Sequence, residues 1–252
     1  MSAARGSGNP FTASIALVLG VARRRRFRVA LIGGFALPFH GVQRTTGDVD
    51  FLAEASGADA LHEELVAEGA RCLHRSPDAA NYAPGTSRLS STDFIYARRE
   101  RAREMLRRAR PALLRGARLR VPVVDAEGLI GLKLPALVNA PSRTQDEADI
   151  RALLAARRGT LKLDVIRDYY RLFGRERDLE RLLAETRKRQ GELVKSPEAP
   201  IVGRGVRDQT TFRRPKRVRD LDEFLEFLER VDSVFGPVKP KRDVTRGDHF
   251  RL

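Results

Sequence analysis

Two aspartates separated by one residue occur early in the chain. Asp48 and Asp50 lie in the segment Asp48–Leu52, DVDFL, whose other residues are apolar. Because side chains alternate along a β-strand, both carboxylates would point from one face of a strand that is otherwise buried. Two adjacent carboxylates repel each other and are costly to desolvate, so they stay ionised only with a cation between them. Oxygen ligands of this kind suit Mg²⁺ or Mn²⁺, which also bind substrate phosphates.

A glycine pair precedes the acidic segment. Gly33 and Gly34 follow the apolar run Val29–Ile32, which is typical of a buried strand. Glycines let the backbone come close to a phosphate, and a helix starting at about Gly34 would offer free N–H groups to an anion. A tight turn explains a glycine pair alone equally well. The pair and the acidic strand together predict a site for a metal–nucleotide complex.

The order of these features resembles the signature of the nucleotidyltransferase superfamily, which includes DNA polymerase beta. That signature is an apolar residue, Gly-Gly or Gly-Ser, a spacer, and Asp-x-Asp between apolar residues. In this chain thirteen residues separate Ile32–Gly34 from Asp48. A longer pattern, Arg-x-Thr-x-Asp-x-Asp, resembles the bacterial abortive-infection and toxin-type nucleotidyltransferases. Its members are Arg44, Thr46, Asp48 and Asp50.

The resemblance implies transfer of a nucleoside monophosphate from an NTP to an acceptor hydroxyl, with release of pyrophosphate. Mg²⁺ or Mn²⁺ held by Asp48, Asp50 and a third carboxylate would activate the acceptor and neutralise the leaving phosphates. Asp93 stands where the family places that carboxylate, in the predicted strand Leu89–Ala97. A buried strand seldom carries an unpaired Asp. An ion pair with one of the many arginines is the other interpretation of Asp93.

The resemblance also implies a set of groups that bind the nucleotide. The glycine pair would cradle the triphosphate, and Arg44 would offset its charge or only brace the loop before Asp48. The full set of predicted nucleotide-binding residues is Gly33, Gly34, Arg44, Thr46, Lys133 and Asp149.

Lys133 lies in the apolar part of a helix predicted from Asp125 to Asn139. Toxin-type nucleotidyltransferases carry a Lys in such a helix, where it contacts nucleotide phosphates. A lysine that snorkels to the surface is the alternative. Asp146 and Asp149 share one face of the next predicted helix, Thr144–Ala156, so one of them is placed to contact Lys133 or the candidate arginine. Acids near a helix N-terminus are also ordinary partners of the helix dipole.

The charge of the chain favours a polyanionic partner. The net charge is +15 over 252 residues, which favours a partner such as nucleic acid. The basic clusters favour RNA as the acceptor, and the resemblance to toxin-type nucleotidyltransferases, some of which use tRNA, implies tRNA as one such acceptor. Arginines cluster in Arg98–Arg120 and Arg204–Arg219, and the first cluster directly follows the strand of Asp93, so we expect it near the chemistry. It lacks interleaved aromatic residues, so base stacking within it is not supported. A GC-rich genome would also enrich arginine.

Other functions of the same fold remain open. The acceptor could be a protein or a small molecule such as an aminoglycoside, although the positive charge argues against a cationic drug. A non-enzymatic function is also open, such as a catalytically inactive antitoxin or a nucleic-acid clamp. The presence of Asp48, Asp50 and Asp93 argues against it. If the chain is itself a toxin of a toxin–antitoxin or phage-defence system, a cognate antitoxin protein is a candidate partner.

The predicted fold is an α/β nucleotidyltransferase fold, with a small mixed sheet, surrounding helices and a helical C-terminal region. The predicted divisions are a loose tail (1–10), a catalytic core (11–124), a helical region (125–190), a basic linker (191–218), an amphipathic helix (219–235) and a basic tail (236–252). Within the core, residues 76–87 are predicted to be a loop, and Pro111 is predicted to end a helix that reaches Arg110.

The predicted location is the cytoplasm. The single cysteine, Cys72, excludes an internal disulfide and suits a reducing compartment. No apolar run approaches the ~20 residues of a membrane span, so no membrane association is expected.

Overall fold

The computed structural model describes residues 9–114, 117–139 and 144–195. Seven strands form one mixed sheet in the order β3-β4-β5-β2-β1-β7-β6. The strands are β1 (Val29–Ile32), β2 (Asp48–Ala53), β3 (Arg71–Arg75), β4 (Ala79–Ala83), β5 (Ser91–Tyr96), β6 (Arg110–Leu114) and β7 (Leu119–Val123).

Eight α-helices surround this sheet in the described part of the chain. They are α1 (Pro10–Arg25), α2 (Gly33–Ala36), α3 (Ala58–Ala67), α4 (Glu100–Arg108), α5 (Ala126–Asn139), α6 (Thr144–Ala156), α7 (Leu163–Arg171) and α8 (Glu176–Lys195). Short 3-10 helices, Leu37–His40 and Ala55–Gly57, continue α2 and precede α3. Asp125 caps α5, because its Oδ1 accepts a hydrogen bond from the backbone N–H of Gly128 at 2.9 Å.

The centre of the sheet determines where the acidic residues lie. Strand β1 pairs antiparallel with β2, which places Ile32 opposite Asp50. Strand β2 pairs parallel with β5, which places Asp50 opposite Asp93. The glycine pair, the Asp-x-Asp segment and the third Asp therefore meet at one place although they are far apart in sequence.

Apolar side chains on the central strands form the core that holds this arrangement. Every residue of β1 is buried, as expected for a strand covered on both faces. The ring of Phe94 stacks on that of Phe51 at 5.5 Å and on that of Tyr96 at 6.2 Å. Burial of these rings stabilises the register between β2 and β5, since a slip of one residue would turn each ring to the other face.

The predicted mixed α/β architecture with a helical C-terminal part is confirmed, but two strands were missed. Strand β4 lies inside the predicted loop 76–87, and its short alanine-rich sequence between Pro77 and Pro84 has little β-propensity. Pro111 does not merely end a helix, because it lies in β6 at the edge of the sheet. An edge strand tolerates proline, whose missing N–H faces away from the partner strand.

The C-terminal helices follow the sequence prediction closely as far as the structure describes them. The bounds of α6 are those predicted, and Gly174 separates α7 from α8 with a left-handed φ of +62°. Helix α8 continues to Lys195, beyond the predicted end of the helical region at Gln190. The remainder of the predicted linker, the amphipathic helix and the basic tail lie outside the described residues, and the division into these regions stays a prediction. Among the described helices, none is long and apolar enough to cross a membrane.

Candidate active site

Three carboxylates converge at the centre of the sheet. One oxygen from each of Asp48, Asp50 and Asp93 lies within 4.8 Å of the other two. They border a pocket of about 300 Å³ that the glycine pair and helices α5 and α6 also line. The predicted grouping of the three aspartates is therefore present in the structure, and Asp93 faces the other two.

Each of the three carboxylates accepts a hydrogen bond from a neighbour. The hydroxyl of Thr46 donates to Oδ1 of Asp48 at 2.7 Å. The backbone N–H of Gly34 donates to Asp50, and the side-chain amide of Asn81 donates to Asp93. These contacts orient the carboxylates towards one another.

Sequence reasoning missed Asn81. It lies on β4 directly opposite Asp93 of β5 and lines the pocket. Prediction of a strand here would have identified Asn81, because a polar residue opposite a buried acid on the neighbouring strand is a natural hydrogen-bond partner. Since the segment was interpreted as a loop, that signal was absent.

The glycine pair has a structural role beside the predicted phosphate contact. Gly33 has a left-handed φ of +63°, and a Cβ built there would lie 2.0 Å from Oδ2 of Asp50. A Cβ on Gly34 would lie 3.0 Å from Cβ of Thr46. Any side chain at Gly33 would therefore displace the carboxylate of Asp50. The helix that begins at Gly33 has only four residues, so its dipole adds little to anion binding.

A second group of charges forms the helical side of the pocket. Nζ of Lys133 on α5 donates to Oδ1 of Asp146 at 3.0 Å and to Oδ2 of Asp149 at 2.7 Å, both on α6. Gln145 donates to Oδ1 of Asp149 at 3.1 Å. The Lys133 side chain is only 12% exposed and lines the same pocket as Gly34, so it does not snorkel to the surface.

Arg44 links the two sides of the pocket. Its Nε lies 3.7 Å from Oδ1 of Asp149 and has no hydrogen-bond partner among the described residues. The predicted contact of an α6 carboxylate with Lys133 or Arg44 is present, because Asp149 reaches both cations. Direct contact of Arg44, Thr46, Lys133 or Asp149 with a nucleotide stays a prediction.

The arrangement disfavours ionisation of Asp50 and Asp93. Burial, together with the charge of the neighbouring Asp93, raises the pKa of Asp50 to about 7. Burial likewise raises the pKa of Asp93, and the hydrogen bond from Asn81 opposes that effect. Among the described residues, the lining of the pocket has five aspartates and two cations, Arg44 and Lys133. When all five are ionised, this leaves an excess of negative charge that repels a triphosphate.

These residues fit a divalent metal ion. Mg²⁺ prefers oxygen ligands at about 2.0–2.1 Å, so two ligands on opposite sides of the ion are about 4 Å apart. Carboxylate oxygens within 4.8 Å of one another need only small side-chain rotations to reach that spacing. A cation at this point would also neutralise the excess negative charge and allow Asp50 to ionise at neutral pH.

The described residues of the basic segment Arg98–Arg120 do not line this pocket, contrary to expectation. None of the described residues that line the pocket comes from that segment. Arg107 pairs with Glu100 and Glu104 of the same helix, and Arg103 lies 3.6 Å from Glu100. Helix α4 begins after Tyr96, which lies at the opposite end of β5 from Ser91, the neighbour of Asp48, so sequence adjacency to Asp93 was a poor guide to distance.

No protein-family model and no curated protein matches the chain. Among solved structures, the antibiotic-resistance factor ANT(2'')-Ia is similar with a TM-score of 0.47 and 16% identity, over 73% of this chain and 95% of that one. The lincomycin-bound lincosamide antibiotic adenylyltransferase LnuA gives a TM-score of 0.42 and 13% identity, over 58% and 98%. A tRNA-processing enzyme gives 0.33 and 19%, over 75% and 57%. These resemblances are distant, so the reaction must be argued from the geometry of the site itself.

Proposed function

We propose that this chain is a metal-dependent nucleotidyltransferase that moves a nucleoside monophosphate from an NTP to an acceptor hydroxyl. The observation that carries the proposal is the convergence of Asp48, Asp50 and Asp93 at the edge of a pocket that also contains the glycine pair and Lys133. Carboxylates that hold a divalent ion beside a cationic group are the groups needed to neutralise a triphosphate during in-line displacement.

The proposed reaction gives roles to the three sheet carboxylates and to the two cations of the pocket. Asp48, Asp50 and Asp93 would hold Mg²⁺ or Mn²⁺, which when bound supplies Lewis-acid stabilisation of the phosphates. The acceptor oxygen forms a bond to the α-phosphorus while the bond from that phosphorus to the pyrophosphate oxygen breaks. As the alternative to metal binding, the carboxylate of Asp93 would take the proton of the acceptor hydroxyl. Lys133 and Arg44 would offset the charge of the triphosphate.

The acceptor that we propose is RNA, with tRNA as the leading candidate. The net charge of +15 supports a polyanionic acceptor over a cationic one. Modification of RNA in this way would suit a toxin of a toxin–antitoxin or phage-defence system, with a cognate antitoxin as partner. That biological role rests on the sequence resemblance.

The reaction is tested by incubating the purified protein with NTPs labelled at the α- or γ-phosphate, Mn²⁺ and total RNA. Transfer of the α-label but not the γ-label to RNA, abolished by EDTA, is the expected result. Label on the protein or on a small molecule would reject the RNA acceptor and keep the transfer reaction. Absence of any α-labelled product with each of the four NTPs, or transfer of the γ-label, would reject the nucleotidyltransferase assignment.

A further inference from the structure

A second cleft adjoins the carboxylate pocket. It has a volume of about 770 Å³, and Arg44 and Thr46 line both cavities. The remaining lining is mainly aromatic and aliphatic. It consists of Phe11, Phe35, Pro38, Phe39, Thr45, Leu113 and Leu114.

The chemistry of this cleft selects against a cationic ligand. Among the described residues that line it, none is acidic, and the charged one is Arg44. The rings of Phe11 and Phe35 lie 5.3 Å apart, and both side chains are only partly buried. Partly exposed aromatic rings beside a cation suit a nucleotide. Any of the four bases can stack on such rings, and the cation can pair with the phosphate.

A third cleft follows the same two structural elements. The second cleft, here called the aromatic cleft, lies at the N-terminal end of α1 and at Leu113 and Leu114 of β6. The third cleft, of about 500 Å³, lies at the C-terminal part of α1 and at Pro111 of β6. From Phe11 to Arg23 the helix rises about 18 Å at 1.5 Å per residue. That length accommodates a few nucleotides of an extended strand.

The third cleft is positively charged. Its four arginines are all exposed at the surface. They are Arg23, Arg28, Arg107 and Arg120. Arg28 pairs with Glu54, and Arg107 pairs with Glu100 and Glu104. Arg23 and Arg120 form no ion pair with any residue in the described part of the chain, so their charge is available to a phosphate.

We infer that the surface between α1 and β6 is the path of a single-stranded RNA acceptor. The terminal base stacks in the aromatic cleft, which brings the terminal hydroxyl next to the carboxylate pocket. The preceding phosphates run along α1 towards Arg23 and Arg120. This inference rests on the proposed function, and it assigns the acceptor role to a surface separate from the pocket of Lys133.

A matched pair of leucines tests the aromatic end of the path. Leu113 and Leu73 are 53% and 55% exposed, and they lie on β6 and β3, the two opposite edges of the sheet. Leu113→Glu places a negative charge in the cleft, whereas Leu73→Glu places the same charge far from it. Because both sites are exposed edge positions, both variants are expected to fold.

A matched set of arginines tests the basic end. The double variant Arg23→Gln and Arg120→Gln removes two charges from the path. Arg71→Gln combined with Arg88→Gln removes two charges from exposed positions that line none of the three clefts. The two double variants have the same net charge, so a general loss of positive field affects them equally.

The measurement is the binding of a fluorescent single-stranded oligoribonucleotide of mixed sequence by anisotropy, across a range of salt. Leu113→Glu is expected to weaken binding about tenfold or more, with Leu73→Glu unchanged. The Arg23 and Arg120 double variant loses two phosphate contacts, so the salt slope is expected to fall by roughly 1.4, with the control double variant unchanged.

Equal effects of the two leucine variants, or of the two arginine variants, would overturn the path. The same proteins are assayed for release of pyrophosphate from NTP with Mn²⁺ and RNA. Suppose the wild type releases pyrophosphate, but the leucine and arginine variants bind RNA no differently from their controls. The path is then wrong and the proposed reaction stands. If no pyrophosphate is released with any NTP, the proposed function itself fails.

Discussion

The two sides of the carboxylate pocket balance their charges in different ways. On the helical side, Lys133 lies between Asp146 and Asp149 at 3.0 and 2.7 Å, and Arg44 lies 3.7 Å from Asp149, so two cations balance two acids within the protein. On the sheet side, burial and then the neighbouring charge of Asp93 raise the pKa of Asp50 to about 7. The helical side is therefore complete as a structural unit, whereas the sheet side needs a cation from outside. Under the proposed function, this contrast favours the sheet side as the place where the metal binds.

The largest expected effect comes from removing one charge on the sheet side. Asp50→Asn keeps the shape of the side chain but removes a metal ligand, so we expect nucleotidyl transfer to fall by roughly 1,000-fold or more. Rates are measured with α-labelled NTP, and circular dichroism melting serves as the folding control. The wild-type carboxylate is buried beside another acid, so replacing it with a neutral amide should not lower the stability of the folded state. Transfer at the wild-type rate would contradict the assigned role.

A substitution at the neighbouring glycine should displace the same carboxylate without replacing Asp50. Gly33→Ala places a Cβ 2.0 Å from Oδ2 of Asp50 at a φ of +63°, so the carboxylate must move. We expect transfer to fall about 100-fold and the free energy of unfolding to fall by about 1–3 kcal/mol. The matched control is Gly47→Ala, where an added Cβ meets no atom within 4 Å. Equal activity of the two variants would show that the position of Asp50 is not critical.

A change on the helical side should act mainly on binding. Lys133→Ala removes the ammonium group that donates to both Asp146 and Asp149, so we expect the KM for NTP to rise about tenfold and the melting temperature to fall. Steady-state kinetics separate the effect on KM from that on kcat. A variant with the wild-type KM but a lower melting temperature would reduce Lys133 to a structural role.

The smallest expected effect is a pH dependence of metal stabilisation. Between its ordinary pKa of 3.8 and about 7, Asp50 keeps a proton in the folded state that it loses in the unfolded state. The metal-free protein should therefore lose some stability as pH rises through this window. A divalent ion binds the ionised carboxylates, so Mn²⁺ should raise the melting temperature more at about pH 8 than at about pH 5.5. Thermal melts with and without Mn²⁺ measure the difference, and equal increments at both values would argue against Asp50 as a ligand.

The sequence predicted those parts of the site that depend on local spacing. The period of a strand places Asp48 and Asp50 on one face, and the order strand, glycine pair, strand is visible without tertiary information. Asp93 was found because an acid in an apolar strand is unusual. The fold class came from the family resemblance that this pattern carries, although the sheet has seven strands in the described part of the chain and is not small.

Features that depend on contacts between distant segments could not be predicted from the sequence. Asn81 meets Asp93 only because β4 pairs with β5, and the alanines around it give no strand signal. The aromatic cleft joins Phe11, Phe35 and Leu113 from three separate elements, and no spacing in the chain connects them. The distance of the basic helix α4 from the pocket was also invisible, because it depends on the end of β5 from which the chain continues.

Calorimetric titration of Mn²⁺ in the presence of a non-hydrolysable NTP tests the central claim most directly. The wild type should bind Mn²⁺, Asp93→Asn should lose most of that affinity, and Asp146→Asn should retain it, because Asp146 lies on the side of the pocket that Lys133 already neutralises. Absence of binding by the wild type, or loss of binding in Asp146→Asn with retention in Asp93→Asn, would contradict the assignment of the sheet carboxylates as the metal site.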